Sequence, residues 1–158
     1  MQNREIARQL QRLKDLIKRT TDACGDNPEA QSDWAKYICV LSAGLIENAL
    51  KEIYIEYAYR TVSEPVARFA SSHISPIRNP KTDKFIEIAA AFKEEWKIEL
   101  ENFVTLDGRG DALDSLINQR HLIAHGKERD SHLSIVQVKE YLEKTIEVIE
   151  FVENQCIH

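Results

Sequence analysis

The chain has 158 residues, 43% of them hydrophobic and 30% charged, with a formal net charge of −5. That balance belongs to a folded domain of ordinary size and excludes a disordered chain, and no apolar run approaches the roughly 18 residues that a membrane-crossing helix needs. An acidic total argues against a broad electrostatic grip on nucleic acid.

The charge is uneven, however. Residues 1–20 carry Arg4, Arg8, Arg12, Lys14, Lys18 and Arg19 against Glu5 and Asp15, a local +4 that leaves −9 for the rest. This first segment has charges throughout and no continuous apolar stretch, so it is not a secretory signal. Ile6, Leu10, Leu13 and Ile17 recur at helical spacing and predict a helix over about 3–20. Its basic side reads as a solvated face, with an RNA or partner surface as the alternative. Cys-Gly-Asp-Asn-Pro (24–28) ends it.

A long second helix is predicted over about 29–60. Its seam is Trp34, Ile38, Leu41, Leu45, Ala49, Ile53 and Tyr57, with a second row of Ala43, Ile46, Leu50 and Tyr54. So wide a stripe places this helix at the centre of a bundle. A short helix starting at Ser63-Glu64-Pro65 and ending near Ser72 follows. Residues 73–80 hold Pro76 and Pro80 and read as a loop. Helices are then expected over 82–93 and 94–104, a break at Leu106–Gly110, and a sixth helix over 111–125 that stops at Gly126, a C′ glycine. Ser134 with Gln137 forms a capping box for a last helix over 135–155. Its inward row is Val138, Tyr141, Leu142, Thr145, Val148, Ile149, Val152 and Cys156. The expectation is one all-α domain, residues 1–158, built as a helical bundle. Trp34, Tyr37, Tyr54, Phe85 and Trp96 are expected in its core. Cys24, Cys39 and Cys156 form no CxxC pair, which reads as reduced thiols in a cytoplasmic protein without disulfide or zinc site.

The stretch Asn118-Gln119-Arg120-His121-Leu122-Ile123-Ala124-His125-Gly126 carries a conflict. The apolar stripe of the sixth helix runs Leu113, Leu116, Ile117, then Arg120, then Ile123 and Ala124. A guanidinium in that place must be paired, or must face a polar cavity or a second chain. His125 ends the helix, where the partial negative charge of the backbone favours a protonated imidazole. His121, Asn118 and Asp114 continue the row beneath it. Three readings stand: a capped helix end with a salt-bridged arginine; a metal site on His121 and His125, without the Glu that HExxH would supply; or acid–base chemistry on a phosphodiester, with His125 moving the proton and Arg120 neutralising the phosphate.

Arg120-His121-Leu122-Ile123-Ala124-His125 resembles the R-x4-6-H motif of HEPN domains. Asn79-Pro80, Asp83-Lys84-Phe85-Ile86, Phe92 and Trp96 before it, and His125-Gly126-Lys127, Leu133-Ser134 and Val138-Lys139-Glu140-Tyr141 after it, are similar to the RiboL-PSP-HEPN branch. The resemblance implies a HEPN-type helical bundle acting as a metal-independent endoribonuclease, with no cofactor. It implies a homodimer in which Arg120 and His125 of both copies share one cleft. RNA would be cut by attack of its own 2′-OH, leaving a 2′,3′-cyclic phosphate and a 5′-OH. A toxin or antiviral-defence effector, with an antitoxin or regulatory protein as a further partner and no membrane, is what the family suggests. The alternative is a non-catalytic HEPN module that binds RNA or a protein and dimerises.

The expected site is therefore Arg120, His125 and His121, the last orienting Arg120 or contacting a phosphate. Glu47 and Asn48, polar residues interrupting the second helix, would support Arg120, as would Asn118; for Glu47 an ordinary pair with Lys51 is equally consistent. Lys127 and Arg129 would reach flanking phosphates, or sit in a solvated loop.

Overall fold

A computed structural model describes residues 1–127 and 131–157. Among them are α1 (Arg4–Cys24), α2 (Pro28–Thr61), α3 (Glu64–Ile74), α4 (Thr82–Phe92), α5 (Glu94–Thr105), a 3-10 turn (Leu106–Gly108), α6 (Arg109–Ala124) and α7 (Ile135–Ile157), and no strand. The all-α helical bundle expected from periodicity is the fold observed among the described residues.

The ends of the helices follow local chemistry. Asn3 accepts from the N–H groups of Glu5 and Ile6, both at 3.0 Å, and starts α1. Asn27 does the same for α2 through Ala30 at 3.1 Å, with Pro28 at the first helical position. Ser134 and Gln137 close the capping box in both directions, at 3.0 and 3.2 Å. α3 runs to Ile74, past the expected stop, because the helix-breaking Ser75-Pro76 comes only afterwards. α6 begins at Arg109 instead of 111: Asp107 and Gly108 take positive φ, 55° and 67°, and complete the reversal two residues earlier.

The long α2 packs on α1, α3, α6 and α7, which accounts for the width of its apolar stripe. One quadrant of its N-terminal half is left open. Tyr37 is 50% exposed and Leu41 36% exposed, against the expectation that both are core. Tyr37 meets Trp34 edge-on at 5.7 Å, and Leu41 borders a groove shared with α1. Tyr54, Phe85 and Trp96 are buried as expected, and the expected inward row of α7 is buried except for the half-buried Tyr141. Cys24, Cys39 and Cys156 are all buried free thiols. Charge is segregated: α1 holds the basic cluster, while Glu94, Glu95, Glu99 and Glu101 stand exposed on α5, which packs on α4, α6 and α7. No helix is long and apolar enough to cross a membrane among the described residues.

Tyr54 stacks on Phe92 with centroids 5.2 Å apart, and its buried hydroxyl has no hydrogen-bond partner among the described residues. A buried donor without a partner costs about 1–3 kcal/mol. Tyr54→Phe keeps the ring and removes that cost, so thermal unfolding of the variant is expected at or above the wild-type temperature.

Candidate active site at the end of helix α6

α6 is anchored by its apolar half and open at its far end. Leu113, Leu116 and Ile117 are fully buried against α2 and α7. The Cys39 thiol of α2 donates to the Leu116 carbonyl at 3.5 Å. Burial pushes this thiol up to about 12, partly countered by the Arg120 backbone amide, so Cys39 is a packing group and not a nucleophile. Past Ile117 the stripe fades. Arg120 and Ile123 are half-buried, and Ala124, expected to face inward, is exposed.

Arg120 makes no ion pair or side-chain hydrogen bond with any described residue. The salt-bridged arginine of the plain capping reading is therefore not found among them. The next residue, His121, and His125 one turn beyond it have their rings 4.2 Å apart, tilted by 54°, and both are exposed. His125 is the C-cap, its N–H bonded to the His121 carbonyl at 3.1 Å. Gly126 follows with φ +69°, and the Lys127 N–H returns to the Leu122 carbonyl at 3.0 Å. That is the Schellman closure the C′ glycine predicts. Gly126 thus turns the chain sharply away and leaves both imidazoles in the open. No third His, Cys, Asp or Glu among the described residues joins them as a potential metal ligand.

The supporting residues are placed differently from expectation. Glu47 does not touch Arg120. Its carboxylate accepts from Lys51 Nζ and from the Asn79 N–H, each at 2.8 Å, with Arg78 at 3.5 Å. The Lys51 pair was the plain alternative, but the bond to Asn79 gives Glu47 a further task. Asn79 holds φ +49°, a conformation that side chains resist, and Glu47 secures its amide there. Partial burial pushes the Glu47 carboxyl up, but the Lys51 and Asn79 hydrogen bonds and the charges of Lys51 and Arg78 outweigh it, so it sits below its ordinary value.

Asn48 points to the other flank of α2, into a groove shared with α1. Asn118 is exposed without a hydrogen-bond partner among the described residues, and Lys127 is exposed. Arg129 lies outside the described residues. Two polar residues of α6 not expected in the site fasten it instead. Asp114 accepts from the Thr82 N–H at 2.7 Å and so caps α4, and Gln119 accepts from Ser131 Oγ at 2.7 Å. The signal for the first was the Asn79-Pro80-x-Thr82 sequence, a helix start whose cap comes from another helix.

Comparison with family models matches RiboL-PSP-HEPN over residues 2–158. The chain belongs to the RiboL-PSP-HEPN family. Comparison with the curated proteins and with the solved structures finds no significant match. Membership points to a nuclease or RNA-binding module, and the Arg120-to-His125 stretch singled out in the sequence lies at the open end of α6.

Loss of the Glu47 carboxylate leaves the strained Asn79 amide without its acceptor. Glu47→Ala is expected to lower stability by about 1–2 kcal/mol. Because the folded-state pKa is depressed, the ionic part of this contribution is complete above the ordinary carboxylate range and is lost as pH falls through the lowered value. Urea titrations of both proteins at neutral pH and in acid should show the gap narrowing in acid.

Proposed function

We propose that this HEPN domain is a metal-independent endoribonuclease acting as a homodimer in the cytoplasm, a toxin or antiviral-defence effector. The observation that carries this reading is the half-buried Arg120, without an ion-pair partner among the described residues, on the helix end that also presents two exposed imidazoles 4.2 Å apart. A lone guanidinium suits the charge that builds on the phosphoryl oxygens of a scissile phosphodiester. Two adjacent imidazoles suit a reaction that removes one proton and delivers another.

In the proposed step His125 takes the proton of the RNA 2′-OH as that oxygen bonds to the adjacent phosphorus. The P–O5′ bond breaks, and the leaving oxygen takes a proton from His121 or from a histidine of the second copy. The products are a 2′,3′-cyclic phosphate and a 5′-OH. The substrate supplies the nucleophile, so no water or metal is consumed, and DNA, which lacks the 2′-OH, is not cut.

What supports a second copy is the open quadrant of α2. Tyr37 and Val40 are exposed there, at 50% and 36%, and Gly44 has free space where a side chain would stand. Cys39, buried one residue before Val40, donates to the Leu116 carbonyl and so ties this stretch of α2 to the helix that carries Arg120.

Purified protein with RNA in excess chelator should yield cyclic-phosphate ends. His125→Ala and Arg120→Ala, both folded by circular dichroism, should each lose roughly 100-fold or more in rate. Cleavage that requires added metal overturns the mechanism. Tight binding of RNA or a protein with no cleavage of any RNA returns the non-catalytic module.

A further inference from the structure

Asn48 was expected beside Arg120 and instead lines a groove of about 470 Å³ on the opposite flank of α2, between α2 and α1. Leu13 and Leu45 form its buried floor, with Leu16 and Leu41 partly open above them. Arg12 and Arg19 stand on the α1 rim, both exposed, and no carboxylate lines the groove. Neither arginine makes an ion pair or hydrogen bond with any described residue. Asn48 is likewise without a hydrogen-bond partner among them, while Gln9, the other amide, is held by Glu5 at 3.1 Å.

Arg12, Leu16 and Arg19 fall on one line of α1, two helical turns or about 10 Å from end to end. The line therefore reads cation, apolar surface, cation. That pattern suits a nucleotide strand, in which a base hangs from the sugar that joins two phosphates. Arg presents a planar fork that matches phosphate oxygens, leucine side chains offer an apolar surface to a base, and the free carboxamide of Asn48 can meet a base edge.

We infer that the α1–α2 groove is a binding site for a single-stranded segment of RNA, with Arg12 and Arg19 on successive phosphates and an unpaired base over Leu16 and Leu41. This rests on the ribonuclease reading, since the groove and the motif lie on the two flanks of the same stretch of α2, Leu41 facing one and Cys39 the other. A duplex does not fit, because its bases are turned away from such a floor. A second copy fits poorly too: a two-fold interface would set Arg12 and Arg19 against their own images, with no acid in the groove to separate them. The groove also explains how an acidic chain grips a polyanion, through a local +4 in residues 1–20 against a total of −5.

The test is fluorescence anisotropy with a labelled 2′-O-methyl oligoribonucleotide of about 12 nucleotides, which keeps the phosphates but cannot be cleaved. Binding is followed over a range of salt for wild type, Arg12→Ala/Arg19→Ala and Asn48→Ala. Each arginine lost should weaken binding several-fold, and the double variant should lower the salt slope by about 1.4. Asn48→Ala should alter the preference among homopolymers at an unchanged slope. Circular dichroism and sedimentation should match wild type throughout. Wild-type affinity and slope in the double variant, with RNA still bound or cleaved, overturn the groove and leave the nuclease reading standing. No RNA binding by the wild type overturns both. A change of sedimenting mass in the double variant makes the groove a contact between copies, and retained RNA affinity with lost binding to an acidic peptide makes it a protein-docking site; either result overturns it.

Discussion

Arg120 stands at a helix position that packing alone would give to a leucine, and much of the surrounding structure holds the helix that carries it. A charged group at the margin of a core is tolerated only where one side stays wet, so α6 is buried as far as Ile117 and emerges from there on. The change from apolar to polar environment within two turns of one helix gives rigid backing below the guanidinium and open solvent above it. Gly126 completes the arrangement by taking the chain away at once, which frees the two imidazoles from any covering segment among the described residues.

The rest of α6 is occupied with keeping this end still. Its polar flank serves two neighbours, Thr82 through Asp114 and Ser131 through Gln119. The segment before α4 is held from the other side by Glu47 on α2. The strained Asn79 and the start of α4 are thus held from two helices, Asn79 by α2 and Thr82 by α6. Glu47 and Asp114 therefore hold the backbone ahead of α4 and make no hydrogen bond or ion pair with Arg120, His121 or His125 among the described residues.

The helices were legible because each apolar stripe has an unambiguous period and each end has a local signal: Asn3, Asn27, Ser134 with Gln137, and Gly126 act on residues within a few positions. The open end of α6 was legible for the same reason, since Arg120 breaks a stripe and His125 precedes a glycine. What failed were partners far apart in sequence. Glu47 and Asn48 are neighbours on α2, yet a step of 100° around the helix sends one to Asn79 and the other to the α1 groove. Tyr37 and Leu41 were misjudged because hydrophobicity says that a side chain wants cover, not whether the chain supplies it. The helix start after Asn79-Pro80 was visible, but not that Asp114 caps it, because a cap borrowed from another helix depends on a partner far away in sequence.

The separation of charge between α1 and α5 carries a kinetic consequence. A molecule with cations on its first helix and a bank of glutamates on α5 is a dipole as well as a net anion. At long range an approaching polyanion meets weak repulsion, but nearer in, the field turns the protein so that α1 leads. Added salt shortens the reach of both effects, though the local attraction between groups in near contact outlasts the distant repulsion. Encounters should therefore be few but well oriented, a filter that favours ligands long enough to be held once the correct face has turned towards them.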